Sequence, residues 1–339
     1  MDNSRYSRQE LFAPIGKEGQ KKLKNARVAV LGAGALGTVI LNNLVRAGVG
    51  FIRLVDRDYV EMSNLNRQIL FDEDDAREML PKVEAAKRKL KKINSEVVLE
   101  SFFSDITSSN IESFTKDVDL IMDGTDNFEL RFLINDVAVK YSIPWVYGAC
   151  IGSQGIAYSV IPQEGPCLRC LTPNPPAQGK TPTCDLAGIL GATVSITASL
   201  QTIEAMKILI GNNDDGERKM TSFDVWTGSF NSLNTIEKRE ECLCCSKRNF
   251  EFLDAISSYQ VTSLCGRNAV QISAPKSSME IEQVRESLKS IAQISDNGFF
   301  ISAQIESYEF VIFPDGRVVI KGTSEPSVAR MLYAKYIGM

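Results

Sequence analysis

Two groups of residues in this sequence have types and spacings that point to chemistry. The first begins at Gly32-Ala33-Gly34-Ala35-Leu36-Gly37, a G-x-G-x-x-G pattern after a strand-like run and before a helix-like one. Gly32 permits the tight turn, Gly34 lets the backbone approach a phosphate, and Gly37 lets the helix pack closely on the strand. Amides at the helix N-terminus then face the anion. Asp56 lies 19 residues after Gly37, at the end of the next strand, where a carboxylate takes ribose hydroxyls. The same fingerprint serves NAD enzymes, and a tight turn with no ligand also reads this way. Farther on, Asn64, Arg67, Lys82 and Asp126 follow the strands. That set suits a triphosphate with a divalent metal: arginine grips phosphate oxygens bidentately, lysine acts as a point charge, and aspartate holds magnesium. Each also has an ordinary reading. Arg67 fits a surface arginine. Lys82 precedes Lys87, Arg88, Lys89, Lys91 and Lys92, a run that fits a solvated helix face. Asp126 with Glu129 fits a capping box.

The second group is cysteine. Cys167 with Cys170 and Cys242 with Cys245 form two C-x-x-C pairs, the second starting 72 residues beyond Cys170. Four thiolates make a closed tetrahedral zinc site with no open position, so the metal would be structural. A set of redox or buried thiols is the alternative, and Cys244 is a competing ligand with poorer spacing. Cys184 stands apart, just after the Pro- and Gly-rich stretch 172–183. A loop thiol ahead of a helix start can have a depressed pKa and act as a nucleophile, or be an ordinary loop cysteine.

The elements that must position these residues follow from periodicity. Strands are expected at Arg27–Leu31, Phe51–Val55, Val97–Ser101, Val118–Met122, Ile143–Gly148 and Thr221–Val225. Helices are expected at about 16–25 and at Leu36–Ala47, Pro81–Ile93, Phe128–Tyr141 and Leu186–Ile210. Alternating strands and helices predict an α/β fold with a Rossmann-like, doubly wound, mostly parallel sheet. From about 258 a small α+β module is expected. Its elements are an extended Val261–Ser273, a helix at Glu280–Ile291, strands at Phe299–Ile305, Tyr308–Phe313 and Val318–Lys321, and a closing helix at Ser324–Tyr336 capped by Ser324. The domains are thus read as 1–250 and 258–339; the role of the second is not legible.

Composition removes rivals. The chain has 339 residues and no histidine, which excludes Ser-His-Asp and Cys-His catalysis and every histidine-containing metal site. With 38 Lys and Arg against 42 Asp and Glu, the net charge of -4 speaks against a broadly basic nucleic-acid binder. No apolar run approaches the roughly 20 residues of a membrane span. The N-terminus is too polar for a signal peptide, so the cytoplasm is the expected location.

Several motifs taken together resemble the ThiF/MoeB/HesA family, bacterial relatives of the ubiquitin-activating enzymes. They are Arg5-Tyr6-Ser7-Arg8-Gln9, GAGALG, Asp56, Ser63-Asn64-Leu65-Asn66-Arg67-Gln68, Pro81-Lys82, Thr125-Asp126-Asn127 with Arg131, the two C-x-x-C pairs and Thr183-Cys184. The match covers residues 1 to about 248, and the C-terminal module is similar to that of longer Gram-positive members. The resemblance implies an ATP-dependent adenylyltransferase. Its substrate would be the C-terminal Gly-Gly carboxylate of a ubiquitin-fold sulfur carrier of the ThiS or MoaD kind, with the thiazole (thiamin) branch ahead of molybdopterin. Gly32, Gly34, Ala35 and Gly37 would form the phosphate loop, with Ala35 in place of a common glycine. Asp56 would hold ribose; Asn64, Arg67 and Lys82 the phosphates; and Asp126 magnesium. Ser63 and Asn127 stand in the matching motifs, Arg131 matches an arginine near the phosphates, and Arg8 matches one that reaches into the partner's site across a homodimer. Cys184 matches a cysteine that bonds to the carrier's thiocarboxylate sulfur. Sulfur would come from a separate donor, a cysteine desulfurase or a rhodanese-type protein. Rival readings are another carboxylate substrate (tRNA-borne or a peptide end), an NAD-binding oxidoreductase, or a non-catalytic scaffold.

Overall fold

Arg27–Leu31 is strand β1, and its last four residues are buried on both faces, as expected of a strand at the centre of a covered parallel sheet. The computed structural model describes residues 5–176, 187–211, 219–234, 237–255, 260–264, 268–273 and 281–337. The chain divides into two compact units, Met1–Arg77 with Pro81–Ala255 and Glu78–Leu80 with Ile256–Met339.

In the first unit the strands are β1, β2 (Phe51–Asp56), β3 (Val98–Phe103), β4 (Leu120–Asp123), β5 (Trp145–Ile151), β6 (Gln154–Val160), β7 (Lys219–Asp224) and β8 (Ser229–Asn234). They form one sheet in the order β3-β2-β1-β4-β5-β6-β7-β8. The run from β3 to β5 is parallel, and β6, β7 and β8 add an antiparallel edge. The helices are α1 (Ser7–Glu10), α2 (Gly16–Asn25), α3 (Ala35–Ala47), α4 (Glu73–Arg77), α5 (Lys82–Ile93), α6 (Ile111–Thr115), α7 (Phe128–Tyr141), α8 (Leu168–Leu171) and α9 (Gly191–Ile210). α3 ends where Gly48 takes the left-handed conformation, φ 81°. α9 packs against α3, β5 and β6, whereas α7 packs against α6, α8 and β5. A core that includes Leu31, Ile121, Phe132, Trp145 and Tyr158 runs continuously into the cysteines at 167, 170, 242 and 244.

The second unit is an antiparallel sheet of six strands: β9 (Gln260–Leu264), β10 (Ala269–Ser273), β11 (Gln293–Asp296), β12 (Ile301–Ile305), β13 (Tyr308–Ile312) and β14 (Arg317–Lys321). Helices α10 (Ile281–Leu288) and α11 (Pro326–Tyr336) bury Val284, Leu288, Ala329 and Leu332 with one row of sheet residues, among them Val270, Ile272, Ala303, Phe310 and Ile320. Among the described residues, no helix is long and apolar enough to cross a membrane.

Several expectations needed correction. The extended Val261–Ser273 is two strands, β9 and β10, paired with each other. Strands β6, β8 and β11 went unread: every residue of β8 is exposed, so it lacks the alternation that marks a half-buried strand. The N-cap of α11 is Glu325, not Ser324, and its side chain makes no capping hydrogen bond.

Candidate nucleotide site and cysteine cluster

Strand order reverses between β1 and β4, and open α/β sheets bind ligands at the carboxyl ends of strands at such a switch point. The glycine loop lies there. Gly32 has φ +101°, and a Cβ on it would stand 2.6 Å from the Gly124 carbonyl oxygen. A Cβ on Gly37 would stand 2.0 Å from the Gly32 oxygen, so α3 can start this close to β1 only without a side chain at 37. Gly34 differs. It is the N-cap of α3 at φ -79°, and a Cβ there would meet only the Gly124 oxygen, at 3.9 Å. Internal packing therefore does not require glycine at 34; the open space in front of it is a cradle of the kind a phosphate fills. Ala35 opens α3.

Asp56 closes the loop from β2. Its Oδ2 accepts from the Ala33 amide (2.6 Å) and its Oδ1 from the Asp58 amide (2.7 Å). Burial pushes its carboxyl pKa up, Lys82 opposes that, and Asp58 adds to it. Lys82 is not on a solvated helix face. It is the first residue of α5, is 3% exposed, and its Nζ lies 3.1 Å from Asp58 Oδ2. Arg88, Lys91 and Lys92 are the exposed members of that run. Asp58, unread in the sequence, is thus the partner of Lys82. Arg57 is paired with Asp105 at 3.2 Å. Burial opposes its charge, but Asp105, Asp58, Asp126 and Asp56 together raise its pKa.

A single 3-10 turn, Met62–Asn64, carries the next motif. Asn64 and Gln68 are buried, and Asn64 Oδ1 and Gln68 Oε1 have no hydrogen-bond partner. Two orphaned carboxamide oxygens in one motif are unusual inside a protein and fit a site completed by a ligand. Ser63 is exposed. Arg67 is half-buried and donates to the Ser63 carbonyl (2.9 Å) and to Asn66 Oδ1 (3.0 Å). The start of α9 adjoins this turn, since a Cβ on Gly191 would stand 2.9 Å from the Asn66 carbonyl oxygen.

Asp126 follows β4. The residue capping α7 is Asn127, whose Oδ1 accepts from the amides of Glu129 (2.8 Å) and Leu130 (3.4 Å), so the capping-box reading of Asp126 falls away. Asp126 is exposed and makes no hydrogen bond or ion pair among the described residues. Its charge nevertheless raises the pKa of both Arg57 and Arg131, which places it near them. Arg131 is buried. Its Nε donates to Asp123 Oδ2 (2.9 Å) and its Nη2 to the carbonyls of Thr125 (2.7 Å) and Gly148 (2.8 Å). In this arrangement it braces the loop that carries Asp126.

Arg8 lies on α1, exposed and without a hydrogen bond or ion pair among the described residues. Its neighbours anchor the arm: the Tyr6 hydroxyl accepts from Asn94 (2.8 Å), and Gln9 donates to the Ala47 carbonyl (2.9 Å). Cys184 lies outside the described residues.

The four predicted ligands Cys167, Cys170, Cys242 and Cys245 have sulfurs that all lie within 4.8 Å of one another. Cys167 and Cys242 are 3.6 Å apart and Cys170 and Cys245 are 3.4 Å apart. Tetrahedral zinc with Zn–S near 2.3 Å needs about 3.8 Å, so the quartet fits with little adjustment. Hydrogen bonding within the quartet pushes the Cys167 and Cys245 thiols up and the Cys170 thiol down: crowded together, the sulfurs cannot all ionise without a cation. Cys244 is not one of the four; it accepts from Asn135 Nδ2 at 3.2 Å.

The chain is similar to known proteins along its whole length. The ThiF family model matches residues 6–244. The sulfur carrier protein ThiS adenylyltransferase of Bacillus subtilis is 43% identical over 337 residues, covering 98% of this chain and 99% of that one. The sulfur carrier protein adenylyltransferase of Thermus thermophilus is 39% identical over 246 residues, covering 71% of this chain and 90% of that one. Among solved structures, E. coli MccB with ATP superposes with a TM-score of 0.62 at 23% identity, covering 73% of this chain and 75% of that one, a likeness of fold.

Proposed function

The chain belongs to the ThiF family, and we propose that it uses ATP to adenylylate the C-terminal Gly-Gly carboxylate of a ThiS-type sulfur carrier, for sulfur transfer into the thiamin thiazole. The observation that carries this reading is the end-to-end match to the Bacillus relative, which extends through both units. The site geometry supports it: an open glycine at a switch point, with Arg67, Lys82 and an unpaired Asp126 on the segments around it.

A carboxylate is a poor electrophile. Its oxygen attacks the α-phosphorus of ATP, a new P–O bond forms, and the bond to pyrophosphate breaks. The acid is already ionised, so no proton moves and no histidine is needed. The chain must hold two anions together. The amides at the start of α3, Arg67 and Lys82 supply positive charge. Asp56 orients ribose, and Asn64 and Gln68 complete their hydrogen bonds against the nucleotide. Asp126 holds magnesium, which neutralises phosphate charge when bound. The cysteine quartet holds a structural zinc. The protein works in the cytoplasm as a homodimer in which Arg8 reaches the partner's site; Leu11 and Phe12, 73% and 60% exposed just beyond α1, suit that contact. The carrier docks at β8, the last strand in the order of the described sheet, where Trp226, Phe230 and Leu233 are exposed. A persulfide on a separate donor protein displaces AMP from the acyl-adenylate, leaving carrier and donor joined by an acyl disulfide. The Cys184 thiolate then exchanges into that disulfide, so the donor departs as a thiol and the carrier's sulfur is bonded to Cys184.

ATP–pyrophosphate exchange tests the reading. Exchange should require a carrier ending in Gly-Gly and vanish in Asp126→Ala. A folded protein that exchanges with no carrier would refute it. Cys184→Ser should keep exchange and lose sulfur transfer.

A further inference from the structure

We infer that Gln201 is a positioning residue that fixes the loop carrying Asp126 and so sets how nucleotide binding depends on magnesium. The inference rests on the adenylylation reading above. Gln201 is fully buried in the middle of α9. Its Nε2 donates to the carbonyls of Asp123 (2.8 Å) and Val146 (3.2 Å), at the carboxyl end of β4 and in β5. Across from it, a Cβ on Gly148 would lie 2.2–2.5 Å from the Gln201 carboxamide, so glycine at 148 leaves the room this side chain occupies.

Arg131 grips the same place from α7, through Asp123, Thr125 and Gly148. Residues 123–125 are therefore held from two helices, and Asp126 is the next residue out. Gln201 Oε1 is buried with no hydrogen-bond partner. The unpaired acceptor costs free energy, and what the carboxamide gives in return is its Nε2 hold on the Asp123 and Val146 carbonyls. The same helix begins at Gly191 against the Asn66–Arg67 turn. Ten residues of helix, about 15 Å, separate those two contacts. One rigid rod thus spaces the Arg67 turn from the Asp126 loop.

The test is ATP binding by calorimetry over stepped magnesium concentrations, with Gln201→Met and, independently, Gly148→Ala, whose methyl displaces the carboxamide. Circular dichroism checks that each variant is folded. Both variants should need about tenfold more magnesium for half-maximal ATP binding, the scale of lost support for a metal ligand. Affinity without metal should be unchanged. In an Asp126→Asn background, Gln201→Met should add nothing. Gln201→Met with the wild-type magnesium dependence would overturn the inference, as would equal weakening with and without metal, or a full additional loss beside Asp126→Asn. Wild type that binds ATP with magnesium but shows no carrier-dependent exchange refutes the adenylylation reading, and the titration still decides the role of Gln201. Wild type with no metal-dependent ATP binding overturns both.

Discussion

Replacing Gly34 and Gly37 separately by alanine should split binding from stability within one loop. At Gly37 the new Cβ would stand 2.0 Å from the Gly32 carbonyl oxygen, which is backbone and cannot swing aside. Overpacking of this kind costs about 3 kcal/mol, offset by about 1 kcal/mol of helix propensity gained on replacing glycine. A net loss of roughly 2 kcal/mol or more is expected. At Gly34 the nearest atom to the new methyl is 3.9 Å away, and φ is -79°, which alanine adopts. The fold should lose only about 1 kcal/mol, from a poorer N-cap. The methyl would, however, stand in the open cradle. Forcing a phosphate away from one amide removes a charged hydrogen bond of about 1.5–3 kcal/mol, which is about 10- to 150-fold in Kd. Urea unfolding followed by circular dichroism measures the first quantity and calorimetric ATP titration the second. Gly34→Ala that binds ATP like wild type would refute the assignment of this loop to phosphate, and Gly37→Ala as stable as wild type would refute the packing argument.

Other outcomes are expected as well. Metal analysis should find about one zinc per chain; Cys242→Ser should lose it and Cys244→Ser should keep it, while folded zinc-free wild type would exclude the site. Trp226 is 81% exposed and Trp145 fully buried. Carrier binding should therefore blue-shift the emission of Trp226 alone, and Trp226→Ala should raise the KM for carrier by about tenfold without changing that for ATP. An unchanged KM would move the docking surface elsewhere. Asp72 is held below its ordinary range chiefly by its hydrogen bond with Lys89. That stability is present above the unfolded value of 3.8 and is lost as pH falls through the lower folded value. Amide protection factors around Glu73–Arg77, that is exchange rates taken relative to the intrinsic rate at each pH, should fall on acidification from about pH 5 to 3, and in Lys89→Met they should already be low at the higher pH.

The parallel core was legible because its central strands β1 and β4 are nearly continuous apolar runs and its glycines sit at fixed offsets. The cysteine quartet was legible because both pairs keep ligand spacing. Less could be read where a residue's role depends on neighbours distant in sequence. Lys82 resembled its basic neighbours, and only the fold reveals that it alone turns inward to Asp58. Asp126 and Asn127 compete locally for the cap of α7, and the choice of Asn127 leaves the carboxylate unpaired. Arg131 carries a motif match to a phosphate neighbourhood, yet its donors are engaged with Asp123 and two carbonyls. Gln201 had no motif at all; a lone glutamine in an apolar helix was the one available sign.

Helix α7 starts beside Asp126, passes Arg131, and reaches Asn135, which accepts from the Leu168 amide and donates to Cys244. One turn of helix therefore separates the brace of the Asp126 loop from the wall of the thiol cluster. An oxidant or chelator that displaced Cys167 and its neighbour Leu168 would pull on Asn135, one turn from the arginine that braces the Asp126 loop. Loss of ATP affinity in step with zinc release would reveal such coupling, and full affinity after complete release would rule it out.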